Sequence, residues 1–400
     1  MIKNLLQNEK TIIYILLISF LIKVLLLVSF TQFDFPDGRA YMRGAKLLFE
    51  NNFIWPNNIN NEAPLTYYYY ALAYKLGLIY GIKGFAFFNT ILATFTVYII
   101  YKISELVFSR KEAIIAAFIV MVYPYFNFYA IHPFSETFFI SILYIAFLFA
   151  LKFIVDGKSR NIYLFAFFFA FSVLSKFSGL PMFFIILLLL GYISMKRFGF
   201  SFAIKSILIS LVIFLSIMSI WWIRNYKVYG YFVATSIGES GKVFYTGNNP
   251  MNKSGGGIGG IDVDLTQFNN IKDFAKRDEA LKKAALKWIK ENPTDWIKLE
   301  FQKLKRFYSI FIVTSYFNNW YYQFLSVISY GVILILFVFS LYFNREKLIL
   351  ISPMLIYMFL LTAVHLVYIA SLRYRLPLEP FMIIMASSII GKIFRKYNGN

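Results

Sequence analysis

The chain of 400 residues contains no cysteine. Disulfides, a thiolate nucleophile and every cysteine-ligated metal site are therefore excluded, and redox chemistry leaves the compartment open. Histidine is nearly missing, with His132 and His365 alone, which rules out a histidine-rich metal centre. Acid is scarce as well: 20 Asp and Glu stand against 40 Lys and Arg, and charged residues of both signs make up only 15%. There is no internal repeat of the kind transporters carry and no nucleic-acid-binding motif.

What is present is apolar and aromatic, at 59% and 21% of residues, with a mean hydropathy of +0.63. Runs such as IIYILLISFLIKVLLLVSF (12 to 30) approach the roughly 20 apolar residues that a bilayer core requires. They are continuous rather than alternating, so they read as helices and not as barrel strands. The expectation is an all-α, polytopic membrane protein. In that setting the net charge of +20 reflects basic connections on one side of the membrane rather than affinity for nucleic acid. The first run is long enough to span and lacks a small-residue cleavage site, so it reads as a retained helix.

Apolar segments lie near 11–30, 64–82, 85–103, 113–130, 133–155, 160–175, 178–195, 202–223, 323–343, 348–369 and 376–391. Basic connections at Lys102/Arg110/Lys111, Lys152/Lys158/Arg160, Lys196/Arg197/Lys205, Arg345/Lys347 and Lys392/Arg395/Lys396 belong inside, as does the N-terminus. They share one side only if 64–82 does not cross. That segment holds Tyr67, Tyr68, Tyr69, Tyr70, Tyr74 and Tyr80, rings that favour the membrane interface, so it reads as re-entrant or surface-lying. About ten spanning helices result, with outer-face juxtamembrane helices beside them. Three regions follow: 1–224 as an N-terminal transmembrane module with a catalytic first outer loop at 31–84, 225–322 as an outer loop, and 323–400 as C-terminal spanning helices.

On this topology the clustered ionisable residues outside the basic turns share the outer face: residues 31 to 63, YAIHPFSE (129 to 136), SKF (175 to 177), the long loop and SLRYR (371 to 375). A site is expected there, open to water on one side and lipid on the other. Asp37 follows Pro36 and precedes Gly38 at a helix exit; alone, it reads equally as the N-cap of a helix starting near Arg39. Glu136, four residues after His132, is a second candidate carboxylate or a first-turn charge complementing the helix dipole. His132 itself reads as a rim histidine.

In the long loop, YTGNNPMNKSGGGIGGIDVD (245 to 264) lacks the Gly-Lys-Ser/Thr of a phosphate loop and reads as a flexible lid. Asp262 and Asp264 are weak candidates for a metal, and a divalent cation (Mg, Mn or Ca) is left open. Asn252-Lys253-Ser254 is a glycosylation sequon. Residues 273 to 307 read as two amphipathic helices broken at Asn292-Pro293, with basic faces suited to anionic headgroups or to water.

Taken in order, these landmarks resemble a family. Asp37, Tyr41 and Ala45 have the Asp-x3-Tyr-x3-Ala spacing of the first outer loop in GT-C glycosyltransferases of the protein O-mannosyltransferase and aminoarabinose transferase type. EAPLTYYY (62 to 69) is similar to the family's Pro-Pro-Leu-Tyr element, HPFSET (132 to 137) to its second carboxylate turn, and LSKFSGL (174 to 180) to its Leu-x-Lys-x-x-Gly stretch. WWIRNYKVYGYFV (221 to 233) with TGNNP (246 to 250), WIKENPTDWIKLEFQKLKRF (288 to 307) and RYRLPLEP (373 to 380) resemble later landmarks. Seven in family order, across nearly the whole chain, carry the resemblance.

The resemblance implies an inverting transferase that moves a sugar from a polyprenyl-phosphate donor to a glycan, lipid or protein acceptor. It implies Asp37 as catalytic base or acceptor-orienting carboxylate, since an acceptor hydroxyl must lose its proton as it attacks. Arg224, Arg373, Arg375 and Lys176 are candidates for the donor phosphate; Arg39, Tyr41, Glu62, His132 and Asn248 are candidates for sugar or acceptor. One departure stands out: where the aminoarabinose transferases place a phosphate-contacting lysine before Pro-Pro-Leu, this chain has Glu62 and Ala63, which speaks against that sugar. The expected setting is the plasma (inner) membrane of a prokaryote, among membrane lipids and without nucleic acid. Two alternatives remain: a lipid-linked sugar flippase or exporter, and an oligosaccharide polymerase or ligase, though the loop has no histidine.

Overall fold

The computed structural model describes residues 10–30, 35–56, 63–235, 240–258, 260–313, 317 and 319–397, and every regular element among them is helical. Among the described residues, eight helices are long and apolar enough to cross a bilayer: Thr11–Ser29, Ile82–Val107, Ser135–Asp156, Phe177–Phe198, Phe200–Tyr229, Trp320–Phe343, Arg345–Val367 and Leu372–Arg395. The protein is an all-helical, integral membrane protein.

The expected count of ten is met in helices but not in full-length spans. The segment at 113–130 forms a pair, Arg110–Val122 and Pro124–Ala130, bent by 58°. Pro124 explains the bend, because it cannot donate to the preceding turn and its ring clashes with it. Counted as one crossing, the pair raises the number to nine. The helix Ser159–Ser175 has 17 residues, or about 25 Å at ~1.5 Å per residue, short of the ~30 Å hydrocarbon core.

The segment at 64–82 folds as two helices of 9 and 7 residues, Pro64–Leu72 and Tyr74–Tyr80. Neither can span. Its tyrosines do not all behave as interface rings, however: Tyr67, Tyr70 and Tyr74 are buried, whereas Tyr80 is 66% exposed. The reason lies on the helix Pro36–Glu50, where Gly44 leaves a gap. A Cβ there would sit 2.2 Å from the Tyr67 ring, so only glycine lets that ring settle against the helix. Tyr41 packs on Tyr67 and Tyr70 at ring separations of 5.1 and 5.9 Å.

The chain divides into two compact units. The first comprises Met1–Trp221, Ser329–Ile356 and Leu378–Asn400. Its core is aromatic, as in the stacked Phe183 and Phe214 rings 3.6 Å apart. The second comprises Trp222–Ile328 and Tyr357–Pro377. Here the helices Ser240–Gly247 and Phe274–Glu291 close over Tyr245, Val263, Phe268, Leu281 and Ala285. Asp273 caps the second of these, its carboxylate accepting from the Lys276 N–H at 2.9 Å, and Pro293 opens the next helix, Pro293–Phe307. The break at Asn292-Pro293 is therefore where the sequence places it.

Candidate functional site

In the first unit, three chain segments carrying candidate residues are held by the short helix Pro64–Leu72. Asp37 lies in the first turn of Pro36–Glu50, whose N-cap is Phe35 and whose first residue is Pro36. The helix thus begins before Arg39, and Asp37 is not its cap. The next residue, Gly38, packs on Pro133: a Cβ there would lie 3.1 Å from the proline Cγ. That contact puts the Asp37 turn directly against HPFSE, where the helix Ser135–Asp156 starts and carries Glu136 in its own first turn. Two helix N-termini, each with a carboxylate, therefore adjoin.

Glu136 is fully buried, and its Oε1 accepts from Lys176 Nζ at 2.7 Å. Lys176 follows the end of Ser159–Ser175 in extended conformation, with its side chain 22% exposed. The ammonium also lies 5.7 Å from the Phe139 ring centroid. Thr66 ties Pro64–Leu72 to this end through the Ser175 carbonyl at 3.4 Å.

The HPFSE turn is fixed by residues that sequence reasoning missed. Asn89, wholly buried on Ile82–Val107, donates to the His132 carbonyl at 2.6 Å and to the Tyr70 hydroxyl at 2.8 Å. Tyr70 in turn donates to the Phe134 carbonyl at 2.7 Å, and Tyr69 donates to Asn89 Oδ1 at 3.2 Å. A polar Asn in the middle of an apolar run was the available signal, since a buried amide must find partners.

His132 is not a rim residue. It is fully buried, its Nδ1 donates to the Phe128 carbonyl at 2.6 Å, and it packs among Phe30, Phe35, Phe128 and Phe134. Tyr41 is half-buried and Arg39 exposed on the same helix as Asp37. Glu62 lies outside the described residues, as do Phe33 and Asp34.

The second unit carries the arginines and Asn248. Asn248 is buried and fully engaged: it donates to the Phe244 and Val367 carbonyls at 2.9 and 2.8 Å and accepts from Trp296 Nε1 at 3.2 Å and Lys303 Nζ at 3.1 Å. It joins three elements rather than standing open. Lys303 also bonds Glu300 and the Leu366 carbonyl, each at 2.7 Å. Burial pushes the Glu300 carboxyl up and the Lys303 ammonium down, so the pair persists only because each offsets part of the other's desolvation.

Arg375 is wholly buried, and its Nη1 donates to the carbonyls of Phe307 and Ser309 at 3.3 and 2.7 Å. Arg373, two residues earlier in the one-turn helix Leu372–Arg375, is half-buried. Beside it His365 stacks on Tyr374, with ring centroids 4.5 Å apart. Arg224, near the end of Phe200–Tyr229, donates to Asn225 Oδ1 at 3.0 Å and lies 5.7 Å from the Tyr229 ring.

The glycine-rich stretch is bound down rather than open as a lid. Asp262 accepts from Ser254 Oγ at 2.7 Å and the Ile258 N–H at 2.8 Å; Asn252 donates to the Thr246 and Gly256 carbonyls. Gly255, at φ +72°, and Gly256 lie against Lys303 and Arg306, where any Cβ would clash. The sequon nitrogen of Asn252 is thus buried and occupied. Asp264 turns back on Thr266 with both oxygens at 2.9 Å, bonds that hold its carboxyl below the usual range. Among the described residues, no group of three or more His, Asp or Glu is placed to hold a metal ion.

Residues 61–222 match the sequence profile of the dolichyl-phosphate-mannose-protein mannosyltransferase family. The matched segment takes in Glu136, Lys176 and the helix Pro64–Leu72 and ends two residues before Arg224. The match agrees with the resemblance read from the sequence, over 162 of the chain's 400 residues. No curated protein matches the chain.

Among solved structures, the oligosaccharyltransferase of Archaeoglobus fulgidus in its apo form matches at 14% identity with a TM-score of 0.54, covering 98% of this chain and 52% of that one. The same enzyme tethered to an acceptor peptide containing the NVT sequon gives 13% and 0.56, with 98% and 51% covered. Its complex with an inhibitory peptide and a dolichol-phosphate gives 13% and 0.52, with 98% and 52% covered. The likeness is one of fold, and this chain spans about half the length of those proteins.

Proposed function

We propose that the protein is an inverting glycosyltransferase that moves a sugar from a polyprenyl-phosphate donor to an acceptor at the outer face of a cell membrane. The observation that carries this reading is the joining of the Asp37 turn to the Glu136–Lys176 pair through Pro133 and the helix Pro64–Leu72. A carboxylate base and a cation held in one neighbourhood are what displacement from a lipid phosphate needs. Asp37 takes the proton of the acceptor hydroxyl while that oxygen bonds the anomeric carbon. The bond from that carbon to the phosphate oxygen breaks, and polyprenyl phosphate leaves with the electron pair. One in-line displacement inverts the anomeric centre.

Glu136 holds Lys176 by a hydrogen bond of 2.7 Å, and Lys176 is the candidate in this unit for a phosphate oxygen of the donor. Arg373 and Arg224, in the second unit, remain candidates for phosphate contact as read from the sequence. The engaged Arg375 and Asn248 support their unit from within, and buried His132 supports the turn. The acceptor is a glycan, a lipid or a protein.

Turnover tests the reading: purified protein in lipid, a panel of polyprenyl-phosphate sugars and a crude acceptor extract, with free polyprenyl phosphate followed by mass spectrometry. Wild type should release it and Asp37→Asn should lose at least ~10²-fold, the usual contribution of a general base. Intact donor across the panel would favour a flippase or exporter, and release untouched by Asp37→Asn would remove Asp37 as the base.

A further inference from the structure

The helix Pro293–Phe307 is apolar on two faces. One face is inward, through Leu299, Phe307 and the stem of Lys303. The other is exposed: Ile297, Phe301 and Leu304, at i, i+4 and i+7, form one stripe with 51%, 67% and 38% of their surfaces open. Lys298 and Lys305, both exposed, lie along one edge of it. An amphipathic helix whose apolar stripe is left open beside lysines has the composition of a segment lying in a membrane interface.

The chain after this helix fixes its depth. Ile312 exchanges two hydrogen bonds with the Gln323 side chain, at 2.8 and 2.9 Å, and Ser326 Oγ donates to the Ile310 carbonyl at 2.5 Å. Gln323 and Ser326 lie in the first two turns of the spanning helix Trp320–Phe343. At ~1.5 Å per residue they sit within about 9 Å of its start, at one end of the span. Arg306 adds a longer bond to the Val313 carbonyl at 3.4 Å. The end of Pro293–Phe307 is thus moored where the next span enters the bilayer. Phe311, Val313 and Trp320 are exposed as well. Tryptophan at that position is the usual interfacial anchor.

We infer that the Ile297–Phe301–Leu304 stripe is embedded in the acyl–headgroup boundary of the membrane, with Lys298 and Lys305 on anionic headgroups. The occupant is lipid, because the stripe is moored to a membrane entrance and bordered by cations. The inference is independent of the transfer chemistry.

Its test exploits the absence of cysteine. Phe301→Cys and, as a control, the exposed Lys283→Cys carry a spin label in full-length protein in phosphatidylcholine–phosphatidylglycerol vesicles. Collisions with oxygen and with a water-soluble nickel complex are then measured. The expected result is nickel access at 301 severalfold below that at 283, with oxygen access severalfold above. Equal nickel access at both positions overturns the inference. Shielding of 301 from both agents also overturns it, since a second copy or another protein would then cover the stripe. Removing phosphatidylglycerol, or changing Lys298 and Lys305 to Gln, should raise nickel access at 301; no change sinks the anionic-headgroup part.

Discussion

At the residue scale, the Glu136–Lys176 pair decides more than its single bond suggests. A carboxylate with no solvent exposure is tolerated only while its counter-ion is present. Lys176→Met should therefore cost about 3–5 kcal/mol, the penalty for leaving one member of a buried pair. Glu136→Gln keeps a hydrogen-bond acceptor and removes the charge, so it should cost less in thermal melting while weakening donor binding if Lys176 contacts phosphate. Equal melting temperatures for wild type and Lys176→Met would show that the pair is not needed in the fold. The sequence made both residues visible as outer-face charges, but not their pairing, because 40 positions of separation hide a contact that only tertiary structure makes. The partners of Asn89 were hidden for the same reason, and its bonds to His132 and Tyr70 explain why an apolar helix tolerates it.

At the element scale, local signals were readable wherever proline or a cap sets a boundary. Pro36, Pro64, Pro124 and Pro293 each open a helix. What the sequence concealed was compaction: YTGNNPMNKSGGGIGG looks loose by composition, yet Asn248, Asn249, Asn252 and Asp262 spend their polar groups on backbone within the stretch or beside it. Glu300 and Lys303 complete that packing and make it sensitive to pH. The Glu300 folded value lies above its ordinary 4.5, so between the two values the folded state binds more protons than the unfolded one. Its contribution is fully present below 4.5 and is lost as pH rises through the raised folded value. Measured against Glu300→Gln, the melting temperature of wild type should fall as pH rises from 4.5 through the raised folded value and run parallel above it. Parallel curves throughout would mean that the carboxyl titrates normally.

At the scale of the whole molecule, the number of crossings rests on the bent pair Arg110–Val122 and Pro124–Ala130. Its legs of 13 and 7 residues would reach about 30 Å if straight and roughly 25 Å with the bend in place, at ~1.5 Å per residue. Length alone does not choose between a crossing and a re-entrant loop. Charge does. The basic connection at 102 to 111 and the one at 152 to 160 share a side only if two crossings separate them, namely the bent pair and Ser135–Asp156. The short helices Pro64–Leu72 and Tyr74–Tyr80, at about 13 and 10 Å, contribute no crossing. From Tyr80 to Lys158 the chain then crosses three times, through Ile82–Val107, the bent pair and Ser135–Asp156. Both end residues are exposed, at 66% for Tyr80 and 76% for the Lys158 side chain, and the chain has no native thiol to interfere. In intact cells an impermeant maleimide should label Tyr80→Cys, whereas Lys158→Cys should react only after permeabilisation. Labelling of both from the same side would make the bent pair re-entrant and leave eight crossings; labelling of Lys158→Cys alone would invert the protein and place Asp37 on the cytoplasmic face, away from any acceptor at the cell exterior.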